Sequence, residues 1–294
     1  MYRVALLTLA SALLLPAQSY STGQSVWPAY EGWEKNDDGS FSLVFGYMNE
    51  NWQEELNVPV GPENSFSPGN PDQGQPTHFL PRRNRFIFRV RVPKDFGTKE
   101  LVWTLTTHGK TEKAYGSLRQ DLLIENIDIM SETGALGAGS SNPEVRADKP
   151  PVVAVEGAKN IDAKVGQPVT LTTMVTDDGI PKTRSIPEDR LRAAALRPPL
   201  RPTVAKALGL HLSWFVYRGA GEVKFEPSQI KVWEDTRSGA NSPWAPIWVA
   251  PPVPAGGKYV TKVTFSEPGT YVLCARADDG ALTTDELVTI NVTR

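Results

Sequence analysis

Near the end of the chain, the order of apolar and polar residues predicts two antiparallel β-strands. Apolar side chains recur at positions 271, 273, 275 and 277, and again at positions 288, 290 and 292. A period of two places these side chains on one face of each strand and the intervening residues on the other face. An acidic turn of Asp278, Asp279 and Gly280 separates the two runs. The segment is therefore predicted to be the closing hairpin of a β-sandwich.

The first part of the chain carries further strand patterns and no helical periodicity. Strand-like runs occupy residues 41–47, 86–92 and 101–106, and a turn at residues 36–39 precedes the first of them. Such runs are typical of half-buried strands in an antiparallel sheet. Residues 59–81 are rich in Pro, Gly, Asn and Gln. We therefore expect this stretch to form a long surface loop, which makes it a candidate binding element.

These patterns divide the chain into four parts. Residues 1–19 combine a positive residue, an apolar run and small residues near the end, which predicts a cleaved secretion signal. The apolar run is shorter than the roughly 20 residues of a membrane-spanning helix, so we expect a secreted protein, periplasmic or extracellular. Residues 25–133 are predicted to be an N-terminal β-sandwich domain. Residues 134–151 are predicted to be a linker, and residues 152–294 a second domain.

The second domain resembles a known class of modules. Strand patterns at residues 152–155, 169–175, 210–217 and 259–265 precede the final hairpin, an order found in immunoglobulin-like sandwiches. Its penultimate strand begins with Gly269, Thr270 and Tyr271 and ends in the acidic turn, as in the PKD-like and cadherin-like modules of secreted bacterial proteins. This resemblance covers about half of the mature chain and implies an immunoglobulin-like fold. Residues 232–249 are similar to a group of secreted bacterial proteins, which implies no activity.

Charge and cysteine content narrow the possible functions. The 31 basic side chains nearly balance the 33 acidic ones, which excludes a globally basic nucleic-acid-binding protein. Cys274 is the only cysteine, so no disulfide forms within one chain, and this favours a bacterial source. The strand period places Cys274 on the face opposite Tyr271. There it is either partly exposed and able to pair between chains, or an inert, small apolar residue.

Two acidic turns are the candidate metal site. Asp177 and Asp178 follow the second strand of the sandwich, and Asp278 and Asp279 follow the sixth, so both pairs are expected at the same pole. Calcium takes six to eight oxygen ligands from carboxylates and carbonyls, which such converging turns can supply. The alternative is turn chemistry, in which Asp binds its own backbone and Gly adopts a positive φ. Calcium is the one cofactor that these residues indicate.

A tryptophan-rich insertion is the candidate ligand-binding site. Trp233, Trp244 and Trp248 lie among prolines, and Glu234 and Asp235 lie between them. Exposed indoles stack on the apolar faces of sugar rings, and the carboxylates bind hydroxyl groups. The alternative is structural, because an excursion without regular backbone pairing needs large side chains to hold it against the sheet.

A basic insertion over residues 179–209 is the candidate partner-binding site. Seven basic and two acidic side chains give it a local excess of five positive charges, and a capping-box spacing at residues 185–188 predicts a short helix. Arginine binds carboxylates and phosphates through its planar fork. The alternative is a solvated charged face. The candidate residues are Arg190, Arg192, Arg197 and Arg201.

Motifs for catalysis are absent from the sequence. The histidines are His78, His108 and His211, and none belongs to a metalloprotease helix. The chain also contains no nucleophile elbow and no phosphate-binding glycine loop. His211 alternates with Trp214, so it is expected to point away from the sandwich core. We therefore expect no enzymatic activity.

The sequence as a whole predicts an all-β protein of two β-sandwich domains, the C-terminal one immunoglobulin-like with an Arg-rich helical insertion. Its expected function is that of a non-catalytic interaction or scaffold module at the bacterial cell surface or outside the cell. The alternative is a carbohydrate-binding module with an exposed tryptophan platform. The expected partner is another envelope or extracellular protein or a polysaccharide, bound without nucleic acid and without a transmembrane anchor.

Overall fold

The structure is a computed structural model that describes residues 20–133, 142–182, 209–230, 232 and 251–294. These residues form mainly antiparallel β-sheets, as the alternation of apolar and polar residues predicts. The predicted signal segment 1–19, residues 134–141 of the predicted linker and the predicted helix of the Arg-rich insertion lie outside the described residues.

The first sandwich contains two three-stranded sheets, ordered β1-β2-β6 and β4-β7-β8, and a short two-stranded sheet of β3 and β5. Its strands are β1 (Val26–Lys35), β2 (Phe41–Asn49), β3 (Leu56–Asn57), β4 (Asn64–Ser67), β5 (His78–Phe79), β6 (Arg82–Val92), β7 (Leu101–Thr107) and β8 (Lys110–Gly116). The strand predictions at residues 41–47, 86–92 and 101–106 are confirmed by β2, β6 and β7.

Trp103 on β7 lies at the centre of the first sandwich. Its ring is fully buried, packs edge-on against Phe88 with 5.1 Å between ring centroids, and stacks on Phe66 at 5.9 Å. Its indole Nε1 donates a hydrogen bond of 2.9 Å to Asn64 Oδ1. The polar edge of the buried indole is thus satisfied, and the ring contributes its full apolar area to the core.

The second sandwich contains two four-stranded sheets, ordered β10-β16-β15-β12 and β13-β14-β11-β9. Its strands are β9 (Val152–Val155), β10 (Asn160–Lys164), β11 (Val169–Thr176), β12 (His211–Arg218), β13 (Val223–Glu226), β14 (Lys258–Phe265), β15 (Gly269–Asp278) and β16 (Thr283–Thr293). Tyr271, Leu273 and Ile290 are fully buried, which confirms the predicted inner face of the hairpin. This sandwich is immunoglobulin-like, as the order of its strands predicts.

The outer face of β12 and β15 is covered by the first sandwich. Phe215 and Cys274 belong to the same cluster of buried apolar side chains as Tyr47 and Phe79. Cys274 is 1% exposed, so the interpretation of a partly exposed thiol that pairs between chains is wrong. His211 lies on this outer face, as expected, yet it is 3% exposed because neighbouring segments cover it.

A second apolar contact joins the two sandwiches. Val44 and Phe86 of the first sandwich pack with Met130 and with Leu282, which precedes β16. Met130 belongs to helix α1 (Asn126–Thr133), and a short helix α2 (Pro143–Arg146) follows it in the chain. Short 3-10 helices cover Gln120–Leu122 and Ala255–Gly257. No helix among the described residues is long and apolar enough to cross a membrane.

Residues 59–81 do not form the free surface loop that their composition predicts. They include β4 and β5, and Gln75 is fully buried. Gly74 O accepts a hydrogen bond of 2.5 Å from the Tyr217 hydroxyl, and Thr77 N–H donates one of 3.1 Å to Tyr217 O. The stretch therefore straps the first sandwich to the second, and we call residues 70–77 the strap.

Candidate functional site

In both predicted acidic turns, the aspartate side chains accept hydrogen bonds from backbone amides of the same turn. Each of the four aspartates uses one carboxylate oxygen to accept hydrogen bonds from amides two or three residues further along the chain. These bonds are Gly179 N to Asp177 Oδ2 (2.9 Å), Ile180 N to Asp178 Oδ1 (3.0 Å), Gly280 N to Asp278 Oδ1 (2.6 Å), Ala281 N to Asp279 Oδ1 (2.6 Å) and Leu282 N to Asp279 Oδ1 (2.8 Å). Turn chemistry thus accounts for one oxygen of each side chain.

Three aspartates retain buried carboxylate oxygens that have no hydrogen-bond partner. Both oxygens of Asp148 are unpartnered, as are Oδ1 of Asp177 and Oδ2 of Asp279. Asp148 is 4% exposed and Asp279 is 1% exposed, so water does not reach these carboxylates freely. Buried polar groups are nearly always hydrogen-bonded in folded proteins, so this cluster calls for an explanation beyond turn chemistry.

The three carboxylates influence one another electrostatically. Burial, together with the nearby charges of Asp178 and Asp177, raises the pKa of Asp148 to about 7. Burial, with a smaller contribution from the charge of Asp148, raises the pKa of Asp279 to about 8. Burial also raises the pKa of Asp177. These acidic side chains at one pole of the second sandwich therefore bind protons at a higher pH than ordinary surface carboxylates do.

The four predicted calcium ligands lie in different surroundings. Asp177 and Asp279 line one cleft of about 540 Å³ at the pole. Asp278 instead has its Oδ2 4.0 Å from His211 Nε2. No three Asp, Glu, His or Cys side chains in the described ranges already stand in an arrangement that could hold a metal ion. Calcium binding stays a prediction.

Asp148 is the member of the cluster that sequence reasoning missed. It lies in the stretch that was predicted to be a linker, two residues after α2 and close before β9. No apolar period or turn motif marks it in the sequence. The carboxylates of Asp177 and Asp178, which help to raise its pKa, belong to the turn after β11, and a single sequence does not reveal that proximity.

The other two candidate sites lie outside the described residues. Trp233, Trp244, Trp248, Glu234 and Asp235 belong to the undescribed stretch 233–250. Arg190, Arg192, Arg197 and Arg201 belong to the undescribed stretch 183–208. The tryptophan platform and the basic docking surface therefore stay predictions from the sequence.

Three described side chains with catalytic potential, those of His78, His211 and Cys274, are hydrogen-bonded or buried. The two ring nitrogens of His78 bind Asn57 Oδ1 at 2.8 Å and Glu55 Oε2 at 3.0 Å. His211 is 3% exposed. Burial raises the pKa of the Cys274 thiol well above its usual range, so the reactive thiolate is strongly disfavoured. These groups offer no accessible nucleophile paired with a base.

Comparison with known proteins gives no family. No protein-family model and no curated protein sequence matches the chain. Among solved structures, the S-layer protein rSbsC(31-844) is 10% identical with a TM-score of 0.24, and the match covers 92% of this chain and 28% of that one. Sidekick-1 immunoglobulin domains 1–4 are 9% identical with a TM-score of 0.24, covering 91% of this chain and 48% of that one.

A third similar structure is that of fibronectin(III)-like modules of CbhA from Clostridium thermocellum. It is 10% identical with a TM-score of 0.23, and the match covers 92% of this chain and 94% of that one. The chain thus spans less than half the length of the first two structures and nearly the whole of the third. At these identities and TM-scores, the similarities carry no information about function.

Proposed function

We propose that the protein is a non-catalytic interaction or scaffold module that acts at the bacterial cell surface or outside the cell. The observation that carries this proposal is the apolar core shared by the two sandwiches. Tyr217 and Cys274 of the second sandwich pack in the same buried cluster as Tyr47 and Phe79 of the first. Such a joint holds two protein surfaces in a fixed relative orientation, which is what a scaffold requires.

Two arginines of the first sandwich are paired with glutamates, so they do not provide a free basic surface for a partner. Arg83 pairs with Glu31 at 2.7 Å, and Arg89 binds both carboxylate oxygens of Glu34 at 2.7 and 2.8 Å. These ion pairs neutralise Arg83 and Arg89, which would otherwise attract acidic ligands. The proposal therefore assigns partner binding to the basic insertion, through Arg190, Arg192, Arg197 and Arg201.

Affinity capture with matched charge variants tests this proposal. The tagged chain is cross-linked in its own cell-envelope extract, and captured proteins and sugars are identified by mass spectrometry and sugar analysis. One variant carries Arg190→Glu, Arg192→Glu, Arg197→Glu and Arg201→Glu. Its control carries the same charge change at four exposed lysines of the first sandwich, as Lys94→Glu, Lys99→Glu, Lys110→Glu and Lys113→Glu.

We expect a reproducible protein partner that the arginine variant loses and the lysine control keeps, because guanidinium groups bind carboxylates in pairs. Equal capture by all three chains would contradict the role of the insertion. Recovery of polysaccharide alone, lost in Trp244→Ala, would favour the carbohydrate-binding alternative. Turnover of a substrate by the purified chain would contradict a non-catalytic function.

A further inference from the structure

We infer that the outer face of the sheet β4-β7-β8 is a binding face for an uncharged polysaccharide chain. The inner face of this sheet carries Phe66, Trp103 and Ala114, which are buried in the core of the first sandwich. The residues that alternate with them point away from that core. This inference goes beyond the proposed function, because it involves neither the basic insertion nor a protein partner.

The strand register arranges the outward side chains of this sheet in three rows, which we call the hydroxyl face. Directly opposite residues of neighbouring strands lie on the same side of a sheet, with about 5 Å between their Cβ atoms. With about 3.4 Å per residue along a strand and about 4.8 Å between strands, the rows cover an area of about 14 Å by about 10 Å. Such an open area suits a segment of an extended chain and does not enclose a small molecule. The rows are Ser67, Val102 and Tyr115; Ser65, Thr104 and Lys113; and Thr106 with Thr111.

Tyr115 presents an aromatic ring at one end of the hydroxyl face. It is 53% exposed, more than Tyr20 and Trp27, the other exposed aromatic residues among those that the structure describes. An exposed ring offers an apolar plane whose removal from water is favourable. The apolar face of a sugar ring stacks on such a plane, while the phenol hydroxyl of the tyrosine stays in contact with water. Tyr115 is therefore the residue on which a sugar ring is expected to stack.

The remaining side chains of the hydroxyl face are mostly alcohols. Five of them carry a hydroxyl group, which both donates and accepts hydrogen bonds, as a sugar hydroxyl does. Oγ1 of Thr106 lies 2.8 Å from Oγ1 of Thr111, so neighbouring hydroxyls on this face are close enough to bind one sugar unit together. The five residues are Ser65, Ser67, Thr104, Thr106 and Thr111.

The charge of the hydroxyl face distinguishes between possible ligands. Lys113 is the only charged side chain of the eight. An anionic polymer or a charged protein surface is attracted by several opposite charges, which this face does not supply, whereas an uncharged polymer needs none. Serine is also depleted in protein interfaces, and serine and threonine are rare among the residues that dominate their binding energy. Charge and composition therefore favour an uncharged polysaccharide over an anionic one and over a protein.

Affinity electrophoresis of the full chain tests the hydroxyl face. Native gels contain hydroxyethyl cellulose, arabinoxylan or laminarin as uncharged probes, polygalacturonate as an anionic probe, or no polymer. Dissociation constants follow from the dependence of mobility on polymer concentration. Tyr115→Ala removes the aromatic ring, and Thr104→Val removes a hydroxyl while keeping the shape of the side chain. The matched controls are Tyr20→Ala, at another exposed tyrosine, and Thr170→Val, at an exposed threonine on β11 of the second sandwich.

We expect at least one uncharged polymer to slow the wild-type chain and Tyr115→Ala to bind that polymer about tenfold or more weakly, because the stacked area is lost. Thr104→Val should weaken binding about two- to tenfold, because one hydrogen bond to the sugar is lost. Both controls should bind like the wild type. Lys113→Gln should stay within about twofold of the wild type, because the ligand carries no charge. Thermal unfolding of each variant establishes that it is folded, and Thr104→Val decides the question if Tyr115→Ala is not.

Four results would overturn the inference. The first is unchanged mobility in all three uncharged polymers; self-association of the chain that Tyr115→Ala removes would then make the hydroxyl face a protein interface. The second is equal weakening by Tyr115→Ala and Tyr20→Ala, which would indicate unspecific contact with exposed rings. The third is binding that Trp244→Ala loses and Tyr115→Ala keeps, which would assign the polysaccharide to the tryptophan-rich insertion. The fourth is slowing by polygalacturonate alone that Lys113→Gln removes, which would indicate an anionic ligand.

Discussion

Arg276 on β15 shows how a charged side chain is accommodated on a covered sheet face. It is 5% exposed, and it donates hydrogen bonds of 2.7 and 2.6 Å to the two carboxylate oxygens of Asp285 on the neighbouring strand. Its guanidinium carbon also lies 5.4 Å from the centre of the Phe215 ring. Burial alone would lower the pKa of Arg276, but Asp285 raises it, so the arginine stays charged.

Removing one partner of this pair should destabilise the protein strongly. Asp285→Asn leaves the buried guanidinium without a counter-ion, which is expected to lower the free energy of unfolding by about 3 kcal/mol. Urea denaturation measures this value. Asp121→Asn is the matched control, because Asp121 forms an exposed pair with Arg119 at 2.6 Å, and exposed pairs contribute little. Similar denaturation midpoints for both variants would show that the buried Arg276 pair contributes no more to stability than the exposed Arg119 pair.

At the scale of elements, the strap is held by one strand of the second sandwich. Arg218 on β12 donates hydrogen bonds of 2.7 and 3.0 Å to the two oxygens of Asp72 and one of 2.8 Å to Gln75 O. The hydrogen bonds from Arg218 lower the pKa of Asp72. Charge-assisted, bidentate pairs of this kind fix geometry as well as adding stability.

Arg218→Ala should release the strap without unfolding the sandwiches. The pair is partly exposed, so we expect a loss of about 1–2 kcal/mol of local stability. Faster amide hydrogen exchange over residues 70–77 measures it, and Arg119→Ala serves as the control. Because the pKa of Asp72 is lower in the folded state than in the unfolded state, its ion pair stabilises the folded chain at a pH above the unfolded-state pKa. This stabilisation is lost as the pH falls through the folded-state pKa. Exchange that is unchanged in Arg218→Ala would mean that other bonds, such as those of Tyr217 to Gly74 and Thr77, hold the strap without Arg218.

The alternation of apolar and polar residues identifies the two faces of a strand, but it does not show which part of the protein covers each face. It correctly predicts that Tyr271 and Leu273 share a buried face, because period two follows directly from strand geometry. It does not predict that Cys274 is buried, since the neighbouring sandwich covers it through contacts far apart in the chain. The same holds for Asp148, which lies in a stretch without periodicity and becomes part of the acidic pole only through folding.

At the scale of the whole molecule, the shared core has a thermodynamic consequence. Two sandwiches joined by a short exposed linker would unfold separately, each with its own transition. Here Phe215 and Tyr217 complete the core of the first sandwich, and Leu282 completes the contact with α1. Unfolding of the second sandwich would remove these side chains from the first, so the stability of each sandwich depends on the other.

Calorimetry should therefore show a single cooperative transition for the wild-type chain, with equal calorimetric and van't Hoff enthalpies. Phe215→Ala creates a cavity at the joint and should cost about 3 kcal/mol, so the two sandwiches should begin to unfold in separate steps. Phe265→Ala is the matched control, because Phe265 is fully buried within the second sandwich alone. It should lower the unfolding temperature without separating the two steps, since the joint remains intact. Two transitions in the wild-type chain would mean that the contact orients the sandwiches without coupling their stability, which would remove the physical basis for a rigid scaffold.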